Sequence, residues 1–200
     1  DYGYDLGRKR NLGRLLEQMV DAVPDVPWIR IMYAYPGQID DQLIEVMARH
    51  DQILPYLDLP LQHAHPDVLR RMRRPANIDR VRETIVALRR AMPGIAIRTT
   101  FLVGYPGETE EAFQVLLRFV EEMRFDRVGV FTYSEEEGTA AAELEDDVPP
   151  EVKEDRRGRL MAIQQPISLA KNQALVGETL EVLIEGHGHG RSAGRPYRDG

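Results

Sequence analysis

Three short stretches concentrate the residue types that can bind or react: Leu59-Pro-Leu-Gln-His63, Arg70-Arg-Met-Arg-Arg74 and Arg98-Thr-Thr-Phe-Leu-Val-Gly-Tyr-Pro-Gly-Glu-Thr109. The third reads as a buried strand, Ile95 to Val103, that ends in a glycine-rich turn and opens into an amphipathic helix. In α/β architectures the carboxyl end of a strand is where ligands bind. Gly104 and Gly107 allow positive φ and close approach by a ligand or another backbone, and Pro106 stiffens the turn. No Gly-Lys-Ser/Thr follows, and Glu108, Glu110 and Glu111 load the helix start with negative charge, so a phosphate would be repelled and an ammonium tolerated. The structural alternative is a tight βα turn with Thr109 as helix cap and the acids complementing the helix dipole. Spacing alone leaves both readings open.

The other candidates carry the same ambiguity. Gln62 and His63 sit at the end of a strand predicted over Tyr56–Leu61, pointing where a ligand would lie. His63 and His65 form a His-x-His pair that zinc could use, although no third ligand follows at convincing spacing; His187 and His189 lie far along the chain in a Gly-His-Gly-His-Gly loop. Arg70, Arg71, Arg73 and Arg74 make a dense positive patch. It serves either a solvated helix end or the docking of a polyanion such as RNA or a ribosomal surface. Arg98, in an apolar strand, needs an anionic partner, which is either a structural acid such as Asp58 or a ligand carboxylate. Tyr133 and Ser134 follow a strand over Arg127–Thr132 and would stand at the same rim, or belong to a polar exit loop.

The elements that must position these residues alternate regularly. Helical periodicity covers Asn11–Val23, Asp40–His50, Ile78–Ala91 and Thr109–Met123; strands are predicted at Trp28–Tyr33, Tyr56–Leu61, Ile95–Val103 and Arg127–Thr132. Such a β-α repeat predicts a parallel sheet with helices outside it. Four units suit an open, partial barrel, because a closed eightfold barrel needs ~250 residues. Glu143–Pro150 reads as an acidic linker and Glu151–Ala174 as a long helix that Pro166 should kink or divide. Strand-like alternation over Glu178–Ile184 would begin a small β domain. The expected organisation is a barrel part over 1–142, linker and helix over 143–176, and a truncated β domain over 177–200. The chain of 200 residues is 42% hydrophobic and 30% charged with net charge −7, which marks a globular protein without a general affinity for nucleic acid. No apolar run reaches the ~20 residues that span a bilayer, and no signal peptide is visible, so no membrane association is expected. There is no cysteine, hence no disulfide and no thiolate ligand. Both ends read as cut: Asp1 is not a start residue, and Gly200 falls inside the β-rich segment.

In order along the chain, Leu59-Pro-Leu-Gln-His63, Arg71-Met-Arg-Arg-Pro75, Arg98–Thr109, Phe125-Asp-Arg-Val-Gly-Val-Phe-Thr-Tyr-Ser134 with Glu137-Gly-Thr139, and Ala174-Leu-Val-Gly-Glu-Thr-Leu-Glu-Val-Leu183 resemble the methylthiotransferase branch of the radical S-adenosylmethionine (SAM) enzymes. Tyr2-Gly-Tyr-Asp-Leu6 extends the match. Within the branch the chain is most similar to the RimO-type enzymes, which methylthiolate an aspartate of small-subunit ribosomal protein twelve. It departs from the tRNA-modifying relatives at Arg98-Thr-Thr-Phe-Leu102, Gln62-His-Ala64 and Tyr35-Pro36. The resemblance implies an open βα barrel, SAM and two 4Fe-4S clusters as cofactors, a ribosomal small-subunit protein or the 30S subunit as partner, and a cytoplasmic location. It further implies a TRAM β domain from about residue 177 that contacts substrate or RNA. Cluster cysteines would lie outside this chain, which should then be inactive alone. By the same resemblance Gln62, His63, Arg98, Thr100, Gly104 and Tyr105 are expected to line the SAM pocket, with Arg98 on the methionyl carboxylate, and Arg70, Arg71, Arg73, Arg74, Tyr133 and Ser134 to meet substrate. The alternatives are a tRNA adenosine methylthiotransferase, a metal hydrolase using His63 and His65, and a non-catalytic binding module.

Overall fold

The computed structural model describes residues 12–188 and 191–198; Tyr2–Leu6, Asn11, His189 and Gly190 lie outside the described residues. Four strands, β1 (Ile29–Ile31), β2 (Ile53–Asp58), β3 (Ala96–Val103) and β4 (Arg127–Thr132), form one sheet in the order β1-β2-β3-β4, every pair parallel. Helices α1 (Leu12–Ala22), α2 (Asp41–Arg49), α3 (Pro66–Arg71), α4 (Ile78–Ala91), α5 (Glu110–Met123) and α6 (Pro150–Gln173) accompany it, and β5 (Val182–Gly188) and β6 (Arg191–Pro196) pair as a separate antiparallel hairpin. The expected α/β class and the open parallel sheet are both present.

Burial alternates along β3. Ile97, Thr99, Phe101 and Val103 are fully buried, and the three apolar ones join the main core with α2, α4 and α5; Arg98, Thr100 and Leu102 turn to the other face and are only partly covered. The period of two thus gives the sheet one greasy outer face under the helices and one polar inner face. In register across the inner face stand Asp58 beside Arg98, Arg98 beside Arg127, and Thr100 beside Gly129. The helix starts follow their caps: Asp40, Asn77 and Thr109 accept backbone N–H bonds from Leu43, Arg80 and Ala112.

Three expectations shift. The second strand runs Ile53–Asp58 rather than Tyr56–Leu61, because Pro60 lacks the N–H a strand must donate. Pro55 is accommodated in the irregularity where Ile29–Ile31 pairs with Ile53 and Leu57. Pro166 does not divide α6, which is continuous over 24 residues; Ala162, whose carbonyl loses its helical partner, is exposed together with Pro166, while Leu160, Gln164 and Ile167 pack inward. The terminal β segment begins at Val182 rather than Glu178, and Gly186–Gly188 extends the strand instead of looping.

Candidate functional site

At the carboxyl ends of the strands a cavity of about 470 Å³ is lined by Tyr33, Ala34, Tyr35, Pro60, Gln62, Arg74, Arg98, Thr100 and Phe131. Its size falls in the range of small-molecule sites. Gln62 reaches it through an unusual backbone: φ is 70°, although Gln62 N–H still donates to Thr100 O (2.8 Å) and its carbonyl accepts from Leu102 N–H (2.8 Å). Tyr33 also has positive φ, 56°, and is 75% exposed. Two non-glycine residues in this region on one cavity wall are strain of the kind that collects at functional sites. Within the described residues the side chains of Gln62 and Thr100 make no hydrogen bond, and Arg74 has a ring contact with Tyr35 (6.0 Å) but no acid. Arg98 donates one Nη1 bond to Asp58 Oδ1 (2.8 Å), with Asp58 fully buried and the Arg98 side chain 34% exposed. The structural acid is therefore realised, and the rest of the guanidinium faces the cavity. On the same face, deeper in, Arg30 stacks over Tyr56 (4.4 Å), whose phenol is pushed above its ordinary value by burial and then by Asp58.

Behind the cavity lies a buried charged cluster. Glu108 accepts bonds from Gly104 N–H and Tyr105 N–H, so its carboxylate closes the glycine turn from within. Around it stand Arg156 of α6 (Nη1 to Oε1 3.6 Å; Nη1 donating to Glu108 O, 3.0 Å) and His63 (Nε2 to Oε1 3.7 Å). The Lys153 ammonium bonds Asp146 and the Tyr133 carbonyl (3.3 Å) and sits over the Tyr133 ring at 5.0 Å. Gly104 has φ 71°, and a Cβ there would overlap the Lys153 stem. Gly107 has φ 75°, and a Cβ there would overlap the Arg71 guanidinium, which donates to Gly107 O (2.5 Å) and Pro106 O (3.3 Å).

The expected site residues thus separate. Gln62, Arg98 and Thr100 converge on the cavity. His63 does not: it is fully buried against Glu108, because the chain turns over at Gln62. Gly104 admits the side chain of Lys153 rather than a ligand, and Tyr105 is buried edge-on to Tyr133 (ring centroids 5.2 Å). Tyr133 is equally buried, whereas Ser134 is exposed. The arginine patch is dispersed: Arg70 pairs with Asp67, Arg71 clamps the glycine turn, Arg73 is exposed with φ 53°, and Arg74 lines the cavity. The histidine pair has other work. His63 Nδ1 accepts from His65 N–H (2.9 Å) and His65 Nδ1 from Asp67 N–H (3.2 Å), and no group of three potential ligands forms among the described residues. Sequence reasoning missed Tyr33, Tyr35 and Phe131 as lining residues. For Phe131 the signal was its period-two relation to Gly129 opposite Thr100; no periodicity marks the two tyrosines, which lie beyond the end of β1.

An open parallel βα sheet with its cavity at the strand carboxyl ends defines an α/β enzyme scaffold. Residues 3–120 match the radical SAM superfamily model. The chain belongs to the radical SAM superfamily. A ribosomal protein uS12 methylthiotransferase RimO of Herpetosiphon aurantiacus is 55% identical over 205 residues, covering all of this chain and 44% of the relative. The protein of that name from Roseiflexus is 52% identical over 204 residues, covering all of this chain and 43% of the relative, and that of Synechocystis is 54% identical over 185 residues, covering 92% and 41%. The chain spans less than half the length of these curated relatives. Among solved structures, coproporphyrinogen III oxidase (HemN) of Escherichia coli shares the fold at TM-score 0.58 and 18% identity, covering 84% of this chain and 38% of that one. Methylornithine synthase (PylB) does so at 0.57 and 21%, covering 82% and 45%.

Proposed function

We propose that this chain forms the SAM- and substrate-facing part of a radical SAM methylthiotransferase acting on an aspartate of small-subunit ribosomal protein twelve. The single observation that carries this reading is the 55% identity over the whole chain to a relative printed as a uS12 methylthiotransferase. SAM, bound with a 4Fe-4S cluster, supplies a carbon-centred radical that removes hydrogen from an unactivated carbon, and a second SAM supplies methyl. Thiolates hold such clusters, and with no cysteine this chain provides none of the ligands, whether for one cluster or two. SAM itself suits the cavity. The guanidinium hydrogens of Arg98 not used by Asp58 would hold the methionyl carboxylate, Thr100 and Gln62 would serve as donors or acceptors along the ligand, and Tyr33, Tyr35 and Phe131 would wall the adenine from water. The β5–β6 hairpin is the start of the TRAM domain, and through it an RNA or ribosomal contact. No helix among the described residues is long and apolar enough to cross a membrane, in keeping with work at the cytoplasmic ribosome.

The test is the full-length protein with clusters reconstituted, given SAM, a sulfur source, a reductant and either ribosomal protein twelve or tRNA, with products read by mass spectrometry. Methylthiolation of the protein aspartate is expected. Modified tRNA with unmodified protein would replace this reading with the tRNA enzyme, and no SAM binding at all would leave a binding module.

A further inference from the structure

Arg74 is the cavity residue that the chain itself leaves unsatisfied. Most arginines of this acidic protein are paired: Arg49, Arg70, Arg82, Arg98, Arg156, Arg157 and Arg159 each meet a carboxylate. Arg74 is half-buried, meets no acid among the described residues, and touches only the Tyr35 ring. Its placement is built rather than incidental. α3 ends in a Schellman turn, in which Arg73 N–H donates to Arg70 O (3.0 Å) and Arg74 N–H to Leu69 O (2.8 Å). The left-handed position of that turn, ordinarily glycine, is Arg73 at φ 53°. The turn swings residue 74 back under the strand ends, and Pro75 follows it. A guanidinium held there, partly desolvated, beside two free polar side chains and three rings, forms an anion site on an otherwise acidic molecule.

We propose that Arg74 binds a carboxylate at the mouth of this cavity. The assignment rests on the methylthiotransferase reading, which supplies two sources for that carboxylate: the acidic side chain of the acceptor and the methionyl end of SAM. Arg98, already half-neutralised by Asp58, is the weaker of the two cationic groups, so the cavity carries two guanidinium groups of unequal demand.

The experiment is calorimetric binding to the cluster-loaded, full-length protein, wild type against Arg74→Gln and Arg74→Lys, with two matched probe pairs. One pair is SAM and decarboxylated SAM; the other is an acceptor peptide with aspartate and its asparagine counterpart. Loss of a charge-assisted bond predicts about tenfold or greater weakening in Arg74→Gln for the carboxylate-bearing member of one pair only, with Arg74→Lys intermediate. Weakening for the aspartate peptide identifies the acceptor as the source, and weakening for SAM identifies the cosubstrate. Equal weakening for both members of a pair, or none in either, overturns the assignment while leaving the methylthiotransferase reading intact. Wild-type protein that binds no SAM overturns both.

Discussion

The strand-end cavity and the charged cluster behind it are built from adjacent residues and follow opposite rules. Gln62 and His63 are consecutive, yet one faces open space with its amide free while the other is sealed against Glu108. The same division separates Thr100 from Gly104. In the cluster nearly every charge is spoken for: Glu108 caps two amides and meets Arg156, Lys153 fills the notch at Gly104, and Arg71 clasps Gly107. In the cavity the polar groups are left over. The motif that looks like a binding loop is therefore a docking joint for α6, and the ligand-facing surface is the row of strand-end residues in front of it.

The comparison breaks first at Glu108. Replacing it by glutamine leaves Arg156 buried without its carboxylate, a loss of about 3–5 kcal/mol in denaturant unfolding; a loss below about 1 kcal/mol would mean that the cluster is not what holds the turn. Gly104→Ala is expected to cost about 1–3 kcal/mol from the positive φ alone, plus overlap with Lys153. The double variant with Lys153→Ala should recover the overlap and not the backbone strain, so full recovery would contradict the assignment. The smallest effect belongs to Glu110 on the outer margin. Its carboxyl is held below the ordinary 4.5 by hydrogen bonds from Arg159 and then Gln114. A depressed carboxyl stabilises the fold above its unfolded value, and that contribution disappears as pH falls below about 4.5. Because the side chain is 48% exposed, Glu110→Gln should change stability by less than about 1 kcal/mol at neutral pH and nothing at pH below the folded value.

Much of this architecture was legible before the structure. The helix over Ile78–Ala91 and the strand over Arg127–Thr132 follow directly from 3.6- and 2-residue periodicity, and the Asp40 and Thr109 caps from residue type. The second strand was displaced because Tyr56–Leu61 looks apolar regardless of Pro60, and strand limits depend on donors that hydrophobicity does not report. At the site, Arg98, Thr100 and Gln62 were found from strand-end position. His63 was misplaced because a single αL residue reverses the face of everything after it, and left-handed backbone at a glutamine leaves no trace in composition. Tyr33 and Tyr35 were missed for a similar reason: they lie beyond the strand, where no period applies. Lys153 and Arg156 come from a helix about 45 residues downstream of the turn they complete, and no local pattern announces such a partner.

The most direct measurement sets the two neighbours side by side, taking SAM affinity and melting temperature of the cluster-loaded full-length protein for Gln62→Ala and His63→Ala. The account predicts that Gln62→Ala weakens SAM by about fivefold to tenfold, one net hydrogen bond, with the melting temperature unchanged, and that His63→Ala lowers the melting temperature with affinity preserved. Unchanged affinity in Gln62→Ala, or lost affinity at an unchanged melting temperature in His63→Ala, would contradict the separation of cavity from scaffold.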